Sequence, residues 1–180
     1  MRHALEWLYR ASGAVAAACI VAICLLVSAQ ILLNIIARVM GPGWSWTIPS
    51  YADFAGYMLA NASFLALACT LREGGHIRVT LLTRRLPLRG AWMTEITALG
   101  LGLGLSLYAL RYLVALVAES LRYGDKSTGI VAIPLWIPQT GVTIGIGVLC
   151  LALAHTLYDA LRTRKPQLVD AEKPDLCPTH

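Results

Sequence analysis

Three long stretches of this chain carry no formal charge: between Arg10 and Arg38, between Asp53 and Arg72, and between Lys126 and Asp159. A fourth, from Ala91 to about Ala118, has Glu95 near its start and Arg111 near its end, so only its centre is clean. A soluble core does not need uncharged runs of this length. Crossing about 30 Å of hydrocarbon does, because that takes about 20 helical residues. With 57% apolar and 14% charged residues, the balance lies far from that of a soluble domain. The expectation is an all-α integral membrane protein with four transmembrane helices, at about 12–37, 51–71, 91–121 and 134–161. They form one membrane domain over residues 1–161, followed by a mobile tail over 162–180. The first apolar run, about 27 residues, exceeds the roughly 7–15 residues of a signal-peptide core, so it reads as a retained helix.

The formal charge of +5 would raise nucleic acid in a soluble chain; here its distribution gives a topology instead. Arg2 and Arg10 precede the first run, Arg72, Arg78, Arg84, Arg85 and Arg89 lie between the second and third, and Arg162, Arg164, Lys165 and Lys173 follow the fourth. The other two connections hold only Arg38, Arg111, Arg122 and Lys126. By the positive-inside rule both termini and the central basic segment are cytoplasmic, with anionic lipid as a contact of Arg84, Arg85 and Arg89. Tryptophans favour the membrane interfaces; Trp7 and Trp92 fall at inner helix ends, and Trp44, Trp46 and Trp136 at outer ones.

Within the spans polar residues are few. Gln30 and Asn34, spaced i, i+4, share a face, and amides in lipid seek partners on a neighbouring helix; an intramolecular bond and a contact with another subunit both fit. Asn61 is the buried amide of the second helix. Ser50 is a candidate N-cap, and Asp53 in the first turn suits the helix dipole, either as a partner of Arg38 or as a docking residue. Gly100/Gly104 and Gly141/Gly145 form G-x-x-x-G pairs that let backbones approach, which suggests that the third and fourth helices pack against each other or against a partner. Pro134 suits a helix's first turn, and Pro138 could kink the helix that follows.

No catalytic, cofactor or metal site is expected. Intramembrane ionisable groups mark transport paths, and the sequence places Glu95 about one turn inside the inner end of the third helix and Arg111 and Glu119 toward its outer end, where they can reach water or pair at the interface. A haem-binding membrane anchor is the alternative of a different class, but only His155 lies within a span, close to its inner end. The cysteines offer no C-x-x-C pair for thiol redox work, and the first helix has no carboxylate of the kind a small proton-coupled exporter would need.

The central segment Gly74-Gly75-His76-Ile77-Arg78-Val79, with Leu86-Pro87 soon after, resembles the cytoplasmic loop of the small four-helix subunit of tripartite ATP-independent periplasmic (TRAP) transporters, the DctQ-like family. Asn34 with Arg38, Asp53 opening the second helix, and Ile133-Pro134-Leu135-Trp136 opening the fourth extend the likeness over about residues 11–161. Asp53 stands where glutamate is commoner in that family, and Thr80 where an aspartate often follows the valine. The resemblance implies a division of labour. A periplasmic binding protein delivers an organic acid, a large membrane subunit carries it with Na⁺, and the small subunit enlarges the fixed scaffold in the bacterial inner membrane, with Arg38, Asp53, Pro134 and Trp136 as outer-face docking candidates.

Overall fold

The structure is a computed structural model and describes residues 2–41, 43, 46–72 and 88–163. Four helices make up nearly all of it: α1 (Arg2–Met40), α2 (Tyr51–Arg72), α3 (Leu88–Tyr123) and α4 (Trp136–Thr163). Each is long and apolar enough to cross a membrane. The ends follow local backbone chemistry. α1 stops at Gly41, whose φ of 92° and N–H bond to the Ala37 carbonyl (3.1 Å) close the last turn. α3 stops in the same way at Gly124, with φ 67° and its N–H on Ser120 O at 3.0 Å.

The helices are arranged as a row rather than a closed square. α2 packs against α1 on one side and α4 on the other, and α3 leans chiefly on α4. The core lies where these contacts converge, around Tyr9, Ala68, Leu71, Leu99, Val148, Ala152, Leu153 and Ala160. These residues come from the start of α1, the end of α2, the start of α3 and the second half of α4, so the helices are gathered at one end. There Trp92 Nε1 also donates to the Ala160 carbonyl at 3.0 Å. Elsewhere the outer helices present Ile20, Leu25, Leu32, Leu101, Leu105 and their like to the surroundings. In water such a surface would drive aggregation; in a bilayer the acyl chains cover it.

Candidate functional site

The described helices meet along close seams and leave broad faces uncovered. The closest seam lies between α2 and α4. A Cβ added to Gly145 would lie 2.8 Å from the carbonyl carbon of Phe64, 2.9 Å from its oxygen and 3.0 Å from Leu65 N. One turn earlier Gly141 accommodates the Asn61 carboxamide oxygen, while Asn61 Nδ2 donates to Tyr57 O at 2.8 Å. The same stretch of α2 is held from its other side by α1, where Ser12 Oγ donates to Leu65 O at 2.5 Å. The Gly100/Gly104 pair is placed differently. A Cβ at either would meet nothing within 4 Å, whereas one added to Gly102 between them would lie 3.8 Å from Leu153 of α4. The two glycine pairs therefore do not meet: Gly141 and Gly145 receive α2, and Gly100 and Gly104 stay open.

At the far end from the core, the α1–α2 and α3–α4 connections are stitched to the helices by single polar contacts. Gln30, only 4% exposed, accepts the Ile48 N–H at 2.8 Å through Oε1 and donates through Nε2 to Asn34 Oδ1 at 3.2 Å. Gln30 thus serves the chain's own loop, whose amide would otherwise lack a partner in a water-poor setting. Ser50 occupies the cap position of α2, with φ 57° and its carbonyl accepting Phe54 N–H at 3.1 Å. Its hydroxyl does not cap the helix as expected from the sequence; it accepts the Val131 N–H at 3.0 Å, tying the α3–α4 connection to α2. Tyr57 OH donates to Ser127 Oγ at 3.0 Å, and Gly129 makes room for the Asp53 carboxylate. The connection itself is narrowed by Ser127 N to Ile133 O (2.8 Å) and Leu135 N to Asp125 O (3.0 Å).

Several expectations need adjusting. Among the described residues Arg38 and Asp53 form no ion pair: Arg38 is exposed at the end of α1, and Asp53 turns to Gly129. Pro134 precedes α4, and Pro138 falls in the first turn, where its missing N–H costs no helix bond and no kink is needed. Trp136 opens α4 at 39% exposure. Glu95, at 3% exposure, is buried near the start of α3 rather than reaching water. Arg111 is exposed on α3, four residues from Leu107, the midpoint between Glu95 and Glu119. Gly74, Gly75, His76, Ile77, Arg78, Val79, Arg84 and Arg85, and the tail beyond Thr163, lie outside the described residues; Arg89 falls in the first turn of α3.

Among the described residues no three of His, Cys, Asp and Glu gather as metal ligands. The arrangement is one of packing seams, a stitched end opposite the core and broad apolar faces. No curated protein and no solved structure matches the chain. The family model of the tripartite ATP-independent periplasmic transporters, DctQ component, matches residues 23–163, which takes in the latter part of α1 and the whole of α2, α3 and α4, and the chain belongs to that family.

Proposed function

We propose that this protein is the non-catalytic small subunit of a Na⁺-coupled, binding-protein-dependent secondary transporter for organic acids, and that it serves as a fixed scaffold for the large permease subunit. The DctQ family works with such a large subunit and with a binding protein. The observation that carries the scaffold reading is the α2–α4 seam. With Gly145 seated on the Phe64–Leu65 backbone and Ser12 holding Leu65 from the other side, α1, α2 and α4 move as one body, as a stator requires. A carrier element would instead need a polar path or a broken helix near the midplane. The family match lends no support to a haem-anchor role. Uptake measured in proteoliposomes tests the reading: the chain alone is expected to take up no substrate, and large subunit plus binding protein is expected to need this chain for full uptake. Accumulation of an organic acid by this chain alone would overturn it.

The same reading places the protein in the bacterial inner membrane with both termini and the segment around Arg78 and Arg84 in the cytoplasm, on the strength of the basic-residue distribution. Arg84, Arg85 and Arg89 then face anionic head groups or the cytoplasmic rim of the large subunit. A thiol-reactive, membrane-impermeant label should reach a cysteine substituted at Arg84 only from the cytoplasmic side of oriented vesicles. Labelling from the periplasmic side would reverse the topology.

A further inference from the structure

α3 is attached along one side only. Glu95, Leu99 and Ser120 are buried and Gly102 faces Leu153 of α4, which fixes the attached side. With 3.6 residues per turn, Gly100, Gly104, Leu107, Arg111, Ala115 and Ala118 fall in a stripe on the opposite side. A groove of about 590 Å³ lies over its Leu107–Ala118 half, walled by Leu107, Arg111, Val114, Ala115 and Ala118 with Leu110 and Tyr112 at its sides. All of the wall belongs to α3, so the groove is a seat without a facing element.

Arg111 is the anomaly in that seat. Among the described residues its guanidinium has no hydrogen-bond or ion-pair partner. Its Cα lies about 6 Å along the axis from the middle of the span, at 1.5 Å per residue. The next ionisable residue outward, Glu119, is eight residues on, about 12 Å away. A cation at this depth facing lipid is costly, and such residues normally find a partner or a wet cavity.

We propose that the Arg111 stripe of α3 seats a transmembrane helix of the large permease subunit, and that this helix carries a carboxylate at the depth of Arg111. The proposal rests on the scaffold reading and adds the face and the chemistry of the joint. Charge complementarity selects an acidic helix. The small residues on either side of Arg111 let its backbone come close, which in lipid replaces the missing hydrophobic drive. A second copy of this chain does not fit, because two copies inserted in the same orientation about an axis along the membrane normal would bring two Arg111 side chains together at one depth.

The test co-expresses the full chain with its large subunit. Arg111→Leu and Arg111→Glu are expected to lower co-purified large subunit about tenfold or more, since each leaves a buried carboxylate unpaired. Arg111→Lys should retain most of it, and the melting temperature of each variant chain alone should stay at the wild-type value. Exchanging one carboxylate within the large subunit's spans for lysine should restore binding to the Arg111→Glu chain; if no such single exchange does, the charge pair is overturned. Wild-type co-purification by Arg111→Leu would also overturn it and assign Arg111 to lipid phosphate. A photo-crosslinking residue at Leu107 should capture the large subunit. Capture from Leu25 on α1 with none from Leu107 would overturn this face while leaving the partnership intact, whereas absence of any large subunit with the wild-type chain would overturn the scaffold reading itself.

Discussion

Gly145→Leu is expected to leave less than about a tenth of the chain folded in detergent, because overpacking that cannot be relieved by side-chain movement exceeds the usual ~1–3 kcal/mol. The added Cβ alone would lie 2.8 Å from Phe64 C and 3.0 Å from Leu65 N, and these are backbone atoms. α2 cannot step away, since Ser12 of α1 is bonded to Leu65 O at 2.5 Å on the far side. Relief would require the α1–α2 pair to separate from α4 as a unit. Gly145→Ala should cost about 1–3 kcal/mol from the same clash, less up to ~1 kcal/mol that alanine returns in helix propensity. Gly141→Ala should be milder, because what it meets is the tip of the Asn61 side chain, which can rotate at the expense of its bond to Tyr57 O. Gly104→Leu in the isolated chain should change nothing or stabilise slightly, as its surroundings are empty within 4 Å. Thermal melts followed by size-exclusion chromatography read the series. Equal stability for Gly145→Leu and Gly104→Leu would refute the assignment of the α2–α4 seam.

The four helices are legible in the sequence because lipid imposes a length and a composition that uncharged runs either meet or do not. Their neighbours are not. A G-x-x-x-G pair states that a backbone can be approached and is silent about by what, so Gly141/Gly145 could not announce α2 and Gly100/Gly104 could not announce an open face. Chain order made the third and fourth helices obvious partners. They do touch, but through Gly102 and Leu153, a large side chain in a small gap, which no pair motif encodes. The polar stitching was half legible. Gln30 and Asn34 share a face by spacing alone, whereas the bond from Ile48 N–H to Gln30 spans 18 positions and depends on the path of the connection. Ser50 illustrates the same limit: its place before an apolar run suggests a cap, yet Val131, 81 positions away, takes its hydroxyl. The family signature around His76 is the reverse case, plain in sequence and outside the described residues.

Leu153→Ala should detach α3 from the bundle while leaving α1, α2 and α4 together. Leu153 is 7% exposed, sits in the core, and packs over Gly102, where an added Cβ would lie 3.8 Å from it. α3 has α4 as its chief neighbour, so no other helix can take over the lost contact. In water, truncating a buried leucine costs about 2–5 kcal/mol, transfer and cavity terms together. Here the transfer term largely drops out, since lipid is as apolar as the side chain, and what remains is lost dispersion contact and a gap opposite Gly102. About 2 kcal/mol is therefore expected, seen as a lower melting temperature and as a loss of crosslinking between cysteines placed at Gly102 and at Leu149 or Leu157. Leu151→Ala, on the same helix but 50% exposed, removes as many atoms from a lipid-facing position and should leave both readouts unchanged. If the two substitutions behaved alike, α3 would be held by its connections to the rest of the chain rather than by packing. The Arg111 face would then have no fixed orientation in which to receive a partner helix.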